Sequence, residues 1–265
     1  MLKVAHSPDA DDAYMFYGIA AGAVKMPGPH VEFLADIETL NRLALEELLD
    51  ASAVSVHAYA HLCGKYYVLK VGASMGDGYG PVVVTRGETP RVVAVPGRLT
   101  TAALLLRLAM PQVRTVEMPF DKILEAVAVG VVDGGVLIHE GQITFHKMGL
   151  RKVIDLGEWW RDETSLPTPL GVNVVRTALG REAAVAIERA LEASIRYADQ
   201  HREEALRYAQ RFARGLSLEE TARFVDMYVN QYTRDMGARG RRAIDELLQR
   251  AFEAGLTPPC TPQFV

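Results

Sequence analysis

Short apolar runs alternate with amphipathic stretches along most of this chain, and that rhythm predicts its elements. Residues 2–6 read as a short buried strand, followed by the Ser7-Pro8 turn and an acidic stretch from Asp9 to Asp12. The apolar run 13–20 behind those acids predicts a helix whose amino end carries negative side chains, the favourable end for them. Residues 31–35 read as a second strand. Residues 36–49 predict an amphipathic helix with Leu40, Leu43, Leu45 and Leu48 on its apolar face. A strand over 53–56 then runs into Ser55, His57 and Tyr59.

A second cycle begins with a strand at 91–95 and a helix over 102–109, entered through Thr100 and Thr101, residues suited to a helix amino end. Strand 113–118, helix 120–129 and strand 134–138 follow, the last ending at His139-Glu140. Residues 153–156 form another short strand, and from 180 onward the chain reads mainly as helices. This alternation predicts an α/β fold with a largely parallel sheet. The extended segments 81–85 and 170–175 are placed to cross between two lobes. The first lobe is then discontinuous, residues 1–87 and 176–265, the second is 88–175, and a cleft lies between them.

Composition changes this picture little. At 265 residues, 49% hydrophobic and 23% charged, the chain has ample material for one large domain or two lobes. Lys and Arg number 29 against 33 Asp and Glu, which argues against a nucleic-acid groove or a polybasic membrane surface. The densest basic group, Arg239 to Arg242, reads as a solvated face. Neither an apolar signal-peptide core nor a run of membrane-spanning length is visible, so a cytoplasmic protein is expected. Cys63 and Cys260 make no CxxC pair and no disulfide framework; a bond between them is neither required nor excluded.

Ligands of parallel sheets collect beyond the carboxyl ends of the strands. Four expected strand ends carry polar residues there: Ser7 to Asp12, Ser55 to Tyr59, Thr100-Thr101 and His139-Glu140. His139 stands where a buried strand emerges, placed as a general base or as a structural histidine bonded to backbone. His57, His61 and His146 read as structural, with no spacing for a metal site. Ser55, Thr100 and Thr101 offer hydroxyls beside helix amino ends that suit a carboxylate or phosphate, or else cap those helices. Among the acids, one is expected to cap and Asp12 to face the cleft. Glycines 76, 78 and 80 lead into a strand, so a flexible turn suits them better than a phosphate loop. Trp159-Trp160 is read as lobe packing before pocket lining. No GxSxG elbow supports a serine hydrolase.

Several motifs recur together in one family. They are Ser7-Pro-Asp-Ala-Asp-Asp-Ala-Tyr-Met-Phe-Tyr17, Ile37-Glu-Thr-Leu-Asn-Arg42, Val95-Pro-Gly-Arg-Leu-Thr-Thr-Ala102, Leu137-Ile-His-Glu140 and Asp155-Leu-Gly-Glu-Trp-Trp160. Leu166-Pro-Thr-Pro-Leu-Gly171 and Tyr228-Val-Asn230 extend the match over nearly the whole length. On them the chain resembles the 1,4-dihydroxy-6-naphthoate synthases, the cyclic dehypoxanthinylfutalosine lyases of the futalosine route to menaquinone. The resemblance implies a two-lobed type-II periplasmic-binding-protein fold, carbon–carbon cleavage of a small carboxylate substrate, and no metal or organic cofactor. It puts the catalytic histidine at His139, paired threonines at Thr100 and Thr101, and a substrate-contacting serine at Ser55. The family usually has lysine where this chain has Ala53, histidine where it has Leu99, and Ser-Pro-Cys-Pro-Asn-Asp as its opening loop. Two other readings keep the fold: a non-catalytic solute-binding or sensor protein for a small organic anion, and the sister enzyme chorismate dehydratase. Oligomeric state is not legible.

Overall fold

A computed structural model describes residues 1–87, 89–139 and 141–265, so Glu140 of the Leu-Ile-His-Glu motif lies outside the described residues. The first five strands are β1 (Leu2–His6), β2 (His30–Leu34), β3 (Ala51–Ser55), β4 (Tyr66–Val68) and β5 (Ser74–Gly76). Next come β6 (Val82–Thr85), β7 (Val92–Val95), β8 (Arg114–Glu117), β9 (Gly134–Leu137) and β10 (Arg151–Asp155). The chain then returns through β11 (Thr168–Arg176).

One sheet has the order β2-β1-β3-β11-β4 with β5 also on β11, and the other has the order β10-β6-β9-β7-β8. In the first, β2, β1 and β3 are parallel, and in the second, β8, β7 and β9 are. The remaining pairs are antiparallel, because β6 and β11 enter each sheet from the opposite lobe rather than through a helical crossover. The sheets are therefore mixed, not largely parallel. Sheet membership also separates the lobes earlier in the chain than 87 and 176: β6 pairs in the second sheet and β11 in the first.

The amphipathic helix spans Ile37–Leu45, capped by the Asp36 carboxylate on the Thr39 N–H. It stops four residues short of expectation because Glu47 takes a left-handed backbone conformation with φ 54°. The turn shifts the phase, so Leu49 is buried and Leu48 is 49% exposed. A single apolar cluster reaches from Val54 and Val172 in the first sheet to Val83 and Val136 in the second. Trp160 is fully buried in it, its indole N–H donating to the Pro167 carbonyl at 3.0 Å. It packs the lobes together and does not line the cleft. Its helix, Leu156–Thr164, starts on the glycine loop at van der Waals limits: a Cβ on Gly157 would lie 2.0 Å from the Tyr79 carbonyl carbon. Cys63 and Cys260 form a disulfide, with Cα atoms 5.7 Å apart, that ties the C-terminal tail to the first lobe.

Candidate active site

Between the lobes a cavity encloses about 710 Å³ of non-protein space, its open mouth included. All four polar strand ends reach its wall: Ser7 with Asp11 and Asp12, Ser55, Thr100 with Thr101, and His139. Sequence reasoning thus located the cleft, since each of these follows an apolar strand whose end must meet solvent or ligand. The roles of the individual side chains come out differently.

Asn41 brackets Ser55, its carbonyl accepting the Ser55 N–H at 2.8 Å and its amide donating to the hydroxyl oxygen at 3.1 Å. That pairing leaves the Ser55 proton to donate into the cavity. Thr100 caps the helix Thr101–Ala109, accepting from the Ala103 N–H at 3.2 Å and donating to the Gly97 carbonyl at 2.8 Å. Thr101 donates to the Leu170 carbonyl at 2.6 Å and accepts from the His57 N–H at 3.2 Å. Both threonine protons are therefore taken by backbone, and what this helix offers a ligand is its unsatisfied amino-terminal N–H groups. His57 is buried against the Thr100 carbonyl, and burial pushes its pKa down to about 4. It is neutral and cannot replace the charge of the family's lysine. Ala53 lines the cavity, and among the described wall residues none is Lys or Arg.

His139 lies just beyond β9 with φ 57°, a left-handed conformation that costs a non-glycine residue about 1–3 kcal/mol. Its Nε2 is 3.3 Å from Asp9 Oδ2, and its ring meets Phe120 edge to face at 5.1 Å. Asp9 occupies the cap position of the short helix Ala10–Met15, yet its carboxylate makes no cap bond. It turns instead to His139 and to Arg214 Nη1, 2.5 Å away. Burial pushes the Asp9 carboxyl up, but His139 in its protonated form and Arg214 outweigh this and hold it below its usual range. Asp12 faces the cleft as expected and also braces the opening loop, accepting from the Ser7 N–H and hydroxyl at 2.7 Å each. Among the described residues no group of three His, Cys, Asp or Glu is placed to hold a metal ion.

A family model described as Menaquinone biosynthesis matches residues 2–253. The chain belongs to the menaquinone-biosynthesis family. A curated relative from Thermus thermophilus, "1,4-dihydroxy-6-naphtoate synthase", is 41% identical over all of this chain and 99% of its own length. A Streptomyces coelicolor protein of the same name is 36% identical, covering 98% of this chain and 96% of its own. A crystal structure from Archaeoglobus fulgidus superposes with TM-score 0.93 at 47% identity, covering 96% of this chain and 98% of its own. The alkanesulfonate-binding protein SsuA of Xanthomonas axonopodis pv. citri gives TM-score 0.71 at 12% identity, covering 97% and 94%. That likeness establishes a periplasmic-binding-protein-like fold, as the resemblance implied.

In this member of the menaquinone-biosynthesis family, residues beyond the expected set complete the wall. Tyr228 donates to Gln142 Oε1 at 2.6 Å across the cleft, and Asn173 lines its floor. Tyr228 lay within a quoted motif, but nothing in spacing could pair it with Gln142. Asp11 is the wall's other surprise. Burial, together with the nearby Asp12 and Asp9 charges, pushes its carboxyl well above the usual range, and its Oδ1 has no partner. Burial raises Asp12 too, but Ser7 donates to that carboxylate, so of the two acids Asp11 is held the higher.

A raised acid has a definite sign in stability. Above the unfolded pKa the unfolded chain releases the Asp11 proton while the folded chain keeps it, so stability falls as pH rises through that window. Asp11→Asn keeps the shape and a donor without this loss. Its melting temperature should exceed that of the parent at pH 7.5, with the gain disappearing near pH 4. Equal melting curves at both pH values would mean that Asp11 is ionised in the folded protein.

Proposed function

We propose that this chain is a 1,4-dihydroxy-6-naphthoate synthase, opening cyclic dehypoxanthinylfutalosine by carbon–carbon cleavage with His139 as general base. Full-length identity to two relatives of that name supports the activity. The observation that carries the mechanism is His139 held in a strained backbone at the wall of the interlobe cavity. An imidazole with one unprotonated ring nitrogen is the commonest general base among side chains. Aromatisation of the naphthoate product supplies driving force as the bond breaks, so the reaction as proposed needs neither metal nor organic cofactor.

The substrate's ring carboxylate is assigned to the amino end of the helix Thr101–Ala109 and to the Ser55 hydroxyl. With no lysine or arginine among the described wall residues, binding rests on oriented N–H and O–H donors. Asp11, whose carboxyl burial and its acid neighbours hold well above the usual range, is assigned the neutral form, in which it does not repel the substrate. Closure of the lobes orients the scissile bond and excludes water. A cytoplasmic location is part of this proposal; no helix among the described residues is long and apolar enough to cross a membrane.

The test is incubation of purified protein with cyclic dehypoxanthinylfutalosine, with and without a chelator, followed by chromatography of the products. Dihydroxynaphthoate formed at equal rates in both arms is expected. Thermal stabilisation without any product would favour the solute-binding reading, and turnover of chorismate alone would favour the dehydratase.

A further inference from the structure

The two residues that meet at the proposed base come from different lobes. Asp9 follows β1 in the first lobe, and His139 follows β9 in the second. Asp9 is 3% exposed and does not line the cavity, so it touches the ring without reaching a ligand. Its other oxygen is held by Arg214, whose guanidinium also lies over the Phe120 ring at 4.6 Å. Phe120 in turn meets the His139 ring edge to face. Arg214, Asp9, His139 and Phe120 therefore close a ring of contacts between the lobes, first lobe to second and back.

We infer that Asp9 is the positioning residue of the base: it fixes the proton of the neutral His139 ring on Nε2 and leaves Nδ1 as the acceptor. This rests on the reading of His139 as the base. The chemistry follows from what each group can do. An ionised carboxylate only accepts, so the ring nitrogen facing it must be the one that carries hydrogen. The Nε2–Oδ2 separation is 3.3 Å, and the inference expects it to shorten into a hydrogen bond when substrate fills the site. With the ring neutral, the Arg214 guanidinium 2.5 Å from the other Asp9 oxygen is the charge that favours the ionised carboxylate, so the tautomer is set by a group that itself does not take the proton.

A merely structural interlobe bridge would not need this arrangement. Arg214 already satisfies the Asp9 charge, and His139 pays for its place with a left-handed backbone. Because the partners sit on opposite lobes, the orienting contact exists only when the lobes are together. The base is thereby set at the same moment that water is excluded from the cleft.

Three measurements test the assignment. In the intact protein, long-range 15N spectra should show the neutral His139 ring protonated on Nε2, and an Nδ1–H ring there would overturn the inference whatever any variant does. In Asp9→Asn, the amide can donate to Nε2 and favour the other tautomer. Its kcat should fall at least about a hundredfold while KM moves less than about threefold. Asp9→Glu, which keeps the acceptor, should recover part of the lost kcat. A kcat for Asp9→Asn within about threefold of the parent, with His139→Ala inactive, would overturn the positioning role while leaving His139 as base. Full turnover by His139→Ala would instead remove the base reading and this inference with it.

Discussion

His139→Ala should lower kcat by about 10²–10⁴-fold, the usual contribution of a positioned general base, with the fold intact. The side chain is 16% exposed on the cavity wall, so its removal leaves no sealed apolar void. Asp9 would lose one partner but keep Arg214 at 2.5 Å, so no bare charge is left buried. The melting temperature is therefore expected to change little, and steady-state assays beside calorimetry separate the two effects. Rate and stability falling together would point to a structural histidine. A rate within tenfold of the parent would give the proton to another group, and Asp12 would be the next cleft residue to examine.

The largest effect on stability is expected from Trp160→Ala, about 3–5 kcal/mol. The ring is fully buried in the apolar cluster that joins the two sheets, so its loss opens a cavity rather than a surface dent. Truncation also strands the Pro167 carbonyl, which now accepts the indole N–H, and removes the face beneath the Arg250 guanidinium at 5.5 Å. For a chain of this size the loss corresponds to a fall in melting temperature of roughly 6–20 °C. Trp159→Ala is the control: its ring is only partly buried, and the change should be much smaller. Equal effects of the two substitutions would contradict the packing described. Because Trp160 does not line the cleft, the surviving folded enzyme should retain its KM below the transition.

Much of this architecture was legible because burial and period are local properties. The strand at 2–6 and the helix after Pro119 are read from residues that are neighbours in sequence, and they form where expected. The strands β4 and β5, of three residues each, are too short to show a period, and they depend on β11 for pairing. The antiparallel sense of β6 and β11 was hidden for a related reason, since alternation of residues does not record which lobe a strand enters from. The phase slip at Glu47, which exposes Leu48, likewise comes from one backbone angle that the hydrophobic pattern does not encode.

By itself the sequence determined the two-lobed α/β class, the family, and the strand ends that must face the cleft, His139 among them. The class and the strand ends follow from apolar runs that have to be buried and from polar residues that end them, and the family from the resemblance of whole motifs. Only the tertiary structure decided what each polar group is free to do there. It turned Asp9 from the helix-cap position toward His139, took both threonine protons for backbone carbonyls, and raised the Asp11 carboxyl by burying it among acids. The reason is physical: a hydrogen-bond partner or a neighbouring charge comes from another part of the chain, as Asp9 and His139 do across 130 residues of sequence. A side chain's type is written locally, whereas its remaining valence for a ligand depends on which distant groups have already claimed it.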